Sequence, residues 1–210
     1  MNRVSITNLA LSNLGEAPIQ NLTDYNARAR ISSARIDDVI RSCLRMHDWN
    51  SSMKRIALTS IGEPLFGFNT TFQLPVDFLK MIEVYPISRF RIQSDTLLSN
   101  ETEISILYVA EPTDVNTLDV LLAEAIALKL AVEISETLTG KDVLKDRMFQ
   151  KWMMALQEAR SANSKDKTPE HREDSTFWNA RRREATPIHR TFNYPKTGNA
   201  VLNNFTPPAS

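Results

Sequence analysis

Ile6, Leu9, Ala10, Asn13 and Leu14 recur at the three- and four-residue spacing of a helix, and Gly15 closes the run with Pro18 just beyond it. A first helix therefore ends at Gly15. A second is expected from a cap at Thr23 or Asp24 to about Asp48, with Ser32, Ile36, Val39, Ile40, Cys43, Leu44 and His47 along one stripe. Arg30, Asp37, Asp38, Arg41 and Arg45 take its polar side, and Asp37 precedes Arg41 in the favourable i,i+4 order. From Met53 to Ala110 the period becomes alternating, in "KRIALT", "LKMIEVY", "FRIQ" and "EISILYVAE", punctuated by Gly62, Pro64, Gly67, Pro75 and Pro86. That pattern predicts a small antiparallel sheet. Helical spacing returns from about Asn116 to Leu138, apolar on most faces, and Gly140 separates this helix from another over about Lys141 to Asn163, carrying Leu144, Met148, Trp152, Leu156 and Ala159.

A helix that is apolar nearly all round has to be enclosed by its neighbours. The expected fold is therefore mainly α with an inserted β-sheet, an α+β protein. Residues 1–52 and 113–164 form a four-helix bundle, residues 53–112 an antiparallel β subdomain, and residues 165–210 an extended C-terminal arm. Half of the ten prolines fall in the last forty-odd residues, which have no sustained period.

Composition narrows the function classes. A hydrophobic share of 42% with 24% charged residues is ordinary for a folded chain of 210 residues. Lys+Arg and Asp+Glu both total 25, so binding to nucleic acid or an anionic membrane has to come from local patches. The one cysteine, Cys43, excludes an intrachain disulfide and fits a reducing compartment. The N-terminus lacks the unbroken apolar run of a signal peptide. Leu118 to Ile134 carries Asp119, Glu124, Lys129 and Glu133 and reads as a buried helix, not a membrane span.

Catalytic chemistry finds little support. His47, His171 and His189 lie far apart without metal-ligand spacing, and "TLTGKD" has Ser135 where a phosphate loop needs glycine and Asp142 where magnesium needs a hydroxyl. Cys43 and His47, four apart, have the spacing of a thiolate and its base, but both sit on the apolar stripe, where cysteine packs as a small hydrophobe. Trp49 reads as an anchor where the second helix meets the sheet. No enzyme, cofactor or metal site is expected. Arg181, Arg182 and Arg183 form one basic run beside Phe177 and Trp178; it reads either as a clamp for phosphates or carboxylates or as a solvated cluster.

"NLALSNLGEAPIQNLTD", "LRMHDWNSSMKRIAL", "FQLPVDFLKMIEVY" and "ISILYVAEPTD" leading into "LLAEAIALKLAVEISETLTG" together resemble the tail tubular protein A family of short-tailed bacteriophages, over residues 1 to 163. The signature positions are Gly15, Glu16, Pro18 and Ile19; His47, Trp49 and Asn50; Leu74, Pro75 and Asp77; and Leu138 to Gly140. The resemblance implies a head-to-tail adaptor or connector: a structural virion protein of the tail neck, made in the host cytoplasm. It implies a homo-oligomeric ring, expected to be a dodecamer, bound to the portal protein on one side and to a tail nozzle resembling tail tubular protein B on the other. DNA passes through the channel at ejection with only transient, sequence-independent contact, and no membrane is involved.

On that reading the arm carries anchors, Phe177, Trp178, Phe192, Tyr194 and Phe205, with Arg181, Arg182 and Arg183, that bind the portal or neighbouring subunits. The competing reading of the arm is an end that makes no contacts. An alternative function is a regulatory nucleic-acid-binding module, using Arg41, Arg45 and the arginine run on phosphates.

Overall fold

A computed structural model describes residues 1–140 and 142–166. Over these residues the chain is an α+β protein, with helices at both ends of the sequence and two small antiparallel sheets between them.

Helix α1 (Arg3–Leu14) begins on Asn2, whose side chain accepts from Ser5 N at 2.7 Å. It ends on Gly15 in the left-handed conformation (φ 77°), so the Gly15 and Glu16 N–H groups return to Leu11 and Ser12 carbonyls that the helix leaves open. The expected second helix is two: α2 (Ala27–Ser33), capped by Asn26, and α3 (Ile36–Arg45). The cap is thus Asn26 in place of Thr23 or Asp24, because Asp24 turns back to accept from Gln20 N and Asn21 N. The interruption at Ala34 and Arg35 keeps near-helical angles and the apolar stripe runs through it in phase, from Ala29 and Ser32 to Ile36, Val39, Ile40, Cys43 and Leu44.

Helix α4 (Val120–Thr139) starts on Asp119, which accepts from Leu121 N and Leu122 N, and stops on Gly140 (φ 64°). The predicted start near Asn116 falls instead in a short 3-10 turn, Val115–Thr117. Half of its 20 residues are buried, and α1, α2, α3 and α5 (Asp142–Lys165) all pack on it. It is the enclosed helix of the sequence pattern. α5 buries Met148, Trp152, Leu156 and Ala159 against it.

Strands β1 (Met53–Leu58), β4 (Phe78–Tyr85) and β7 (Ile104–Ala110) form one antiparallel sheet in the order β1-β7-β4. Strands β2 (Ser60–Gly62), β3 (Thr70–Gln73), β5 (Phe90–Gln93) and β6 (Thr96–Ser99) form a second, in the order β2-β3-β6-β5. The single expected sheet is therefore two. Alternation on the central strand β7 explains how they stack: Ile104, Ile106, Tyr108 and Ala110 face Phe72, Leu74 and Leu97 in one core, while Val109 faces the helices with Leu79 and Ile82 in the other. The first sheet is thus the middle layer, shared by two cores.

Candidate interaction surface

The family-like signature residues sit at joints. Asn163, near the end of α5, donates to the Asp48 carbonyl at 2.9 Å and bonds His47 Nε2 at 3.2 Å; its own Oδ1 accepts from Asn50 N at 2.8 Å, and Asn50 Nδ2 donates to the Asn163 carbonyl at 3.0 Å. One asparagine closes the turn between α3 and β1. Trp49 is buried beside it, its indole N–H donating to the Cys43 carbonyl at 3.0 Å and its ring meeting His47 edge-on at 4.9 Å. Asn8 and Ile19 exchange two hydrogen bonds, Nδ2 to the Ile19 carbonyl and Ile19 N to Oδ1, holding the loop after Gly15 against α1. Asp77, two residues after Pro75, accepts from Lys54 Nζ at 2.6 Å and from Tyr108 Oη at 2.9 Å.

Helix α3 is fastened to the first sheet by charge. Arg41 Nε reaches both carboxylate oxygens of Glu111 at 2.9 and 3.0 Å, Lys80 bonds Asp48 at 2.7 Å, and Arg45 donates to the Leu79 carbonyl. The expected Asp37–Arg41 pair is not formed. Asp37 instead accepts from Arg3 at 2.9 Å, and Arg41 turns to Glu111, a less exposed carboxylate that offers two acceptors to one guanidinium. The Glu111 contact raises the Arg41 pKa further above its ordinary value. Arg41 and Arg45, the two described arginines of the nucleic-acid reading, therefore hold the protein to itself.

Cys43 is fully buried, and burial pushes its thiol up to about 12. At neutral pH it stays a thiol, inert as a nucleophile, while the imidazole four residues on is held by Asn163 and Trp49. Among the described residues no group of three or more His, Cys, Asp or Glu side chains comes together to hold a metal ion, and no helix is long and apolar enough to cross a membrane.

Among the described residues, two apolar faces stand out as uncovered. The helix-facing side of the first sheet is covered at Val109 and Leu79 but not farther along, where a groove of about 440 Å³ opens over Leu107, Ser105, Tyr85, Ile87 and Phe90. Its register is clear: Leu107 lies between Arg55 and Glu83, and Ser105 between Ala57 and Tyr85. Tyr85 is 75% and Ile87 97% exposed. The second face is the outer side of α5, with Val143, Phe149, Met153 and Met154 exposed around Asp146 and Gln150.

The arm residues Phe177, Trp178, Arg181, Arg182, Arg183, Phe192, Tyr194 and Phe205 lie outside the described residues. The groove was missed in sequence because "VYPI" reads as the end of a strand. The α5 face had a visible signal, since Phe149, Met153 and Met154 add apolar positions off the Met148–Trp152–Leu156 stripe.

What fold and surface define together is an α+β body whose Arg41 and Arg45 at the helix–sheet joint are engaged internally and which, among the described residues, leaves an apolar groove and an apolar helix face open. The chain matches no protein-family model and no curated protein.

Proposed function

We propose that this chain is a structural adaptor of a bacteriophage tail, forming a ring that joins the portal to the tail nozzle and lets DNA pass through its centre. The observation that carries this reading is the employment of the family-like positions. Gly15, Ile19, Trp49, Asn50, Asp77 and Gly140 cap helices and close joints, as expected of a protein whose task is to hold shape under load.

A channel protein needs weak, sequence-blind contact with DNA, because strong base readout would hold the genome in place. Equal totals of acidic and basic residues suit such transit. The partners are the portal protein, a tail nozzle and further copies of the chain, with the C-terminal arm and its arginine run making the anchoring contacts. Of the nucleic-acid-binding alternative, only the Arg181–Arg183 run remains, since Arg41 and Arg45 are engaged internally.

The test is to mix the purified chain with a portal ring and image the product. A ring seated on the portal is expected, and lost on deletion of residues 170–210. No attachment by the full chain overturns the reading, and undiminished attachment after the deletion removes the arm's role. Tight DNA binding by the isolated chain, falling steeply with added salt, would transfer support to the alternative.

A further inference from the structure

We propose that the free edge of β5 pairs with an extended segment of a partner protein in which acidic and apolar residues alternate. This contact is independent of ring formation.

β5 is the last strand of the second sheet, joined to β6 on one side only, and all four of its residues are exposed. The hairpin that makes it is regular. Gln93 and Thr96 close a two-residue turn at Ser94 and Asp95, with Ser94 at φ 54°, and the register runs from there to Phe90 and Ser99 without a shift. In such a hairpin the closing pair turns its backbone groups toward each other, and alternation along the strand sends the N–H and C=O of Ile92 and Phe90 outward while those of Arg91 go to β6. Among the described residues no other segment bonds to these outward groups. They form the row of donors and acceptors that an added strand needs. The opposite edge of the same sheet, β2, has three residues and a register shift, and offers no such row.

Side chains say what the added strand carries. Ile92 lies opposite Leu97, which is buried between the sheets, so Ile92 and Phe90 are on the inner face of the second sheet and Arg91 is on the outer, opposite Leu98. Phe90 and Ile92 are exposed and take apolar neighbours. Arg91, and Arg89 in the same row, have no carboxylate partner among the described residues, although the Arg89 guanidinium rests 5.8 Å from the centre of the Phe68 ring. A strand laid beside β5 is therefore complementary when it carries apolar residues inward and acids outward. A second copy of β5 fails that requirement: the register that joins Phe90 of each copy to Ile92 of the other sets Arg91 opposite Arg91, and like charges facing across strands repel. Residues 167–210 contain no run of alternating acidic and apolar residues, so the occupant is another protein.

The test titrates the full chain with a short capped peptide alternating Glu and Val, and with its Lys–Val counterpart. The acidic peptide is expected to bind, and the basic one about tenfold or more weakly. Amide exchange reads the geometry: the acidic peptide should slow the Phe90 and Ile92 amides severalfold and leave that of Arg91, already turned to β6, unchanged. Ile92→Pro removes one outward N–H without a bond to β6 and should abolish binding. Arg91→Glu should reverse the preference toward the Lys–Val peptide, a gain that a misfolded chain cannot give. No binding of the acidic peptide, equal binding of the two peptides, binding that leaves both amides unslowed, binding retained by Ile92→Pro, or an acidic preference kept by Arg91→Glu overturns the proposal. Slowing of the same amides in the free chain as its concentration rises would make a second copy the occupant and overturn it as well.

Discussion

Tyr108 shows how far a single residue could be read in advance. Its place in the alternating run "EISILYVAE" identifies a strand position, but its partner Asp77 is 31 residues away and nothing in the sequence joins them. In the structure the phenol is buried in the core between the sheets and donates to Asp77. Burial first, then the Asp77 hydrogen bond and charge, push Tyr108 up to about 12. Burial alone would raise Asp77 as well, yet the bonds from Lys54 and Tyr108 outweigh it and hold the carboxyl below its ordinary value. Because the folded state raises the phenol pKa, this contribution to stability is complete below about pH 10, the ordinary tyrosine value, and is lost as pH climbs through about 12. For Asp77 the sign reverses: its contribution is present above about pH 4 and is lost as pH falls through the depressed value. A spectrophotometric titration of tyrosinate should show Tyr108 ionising late, and Asp77→Asn should move it toward the ordinary range. A late tyrosine indifferent to that substitution would mean the Asp77 contact adds nothing.

At the scale of elements, the two left-handed stops were legible because glycine is the residue that tolerates positive φ, and Gly15 and Gly140 stand where apolar periodicity ends. The break between α2 and α3 was not, because it costs the stripe no phase and is marked by neither glycine nor proline. β2, β3 and β6 were lost for a different reason. They have three or four residues each, and their sheet is defined by pairings such as Phe72 with Leu97, twenty-odd positions apart. Gly140 offers a clean measurement, since a Cβ there would meet no atom within 4 Å and the effect of Gly140→Ala is backbone strain alone. The loss expected is about 1–2 kcal/mol in urea unfolding, with Gly140→Asn costing less. An alanine variant as stable as the parent would show that α4 does not need the left-handed stop.

For the molecule as a whole, the decisive arrangement is a middle sheet with a core on each side. The sequence announced helices around a strand region, but it could not announce that β7 would serve both cores with its two faces, since that depends on which strands pair and where the helices stop. The open groove has the same origin: Leu107 and Ser105 are on the face that Val109 buries, and only the end of α3 separates covered from uncovered. Sharing one sheet should make the two cores unfold together, because β7 cannot leave one without exposing the other, and because the Arg41–Glu111 and Lys80–Asp48 bonds fasten helix to strand across the boundary. Phe72 lies wholly in the core between the sheets, whereas Trp49 and Trp152 lie wholly in the helical one. Phe72→Ala is expected to cost about 3–5 kcal/mol. In a background where Trp178→Phe removes the remaining indole, tryptophan emission should report that entire loss although neither remaining tryptophan is near the site. Agreement of the emission midpoint with that from far-ultraviolet circular dichroism would establish a single transition. A tryptophan midpoint left unchanged while strand signal melts early would instead mean that the helices fold as an independent unit, with the sheet between the cores belonging to one of them alone.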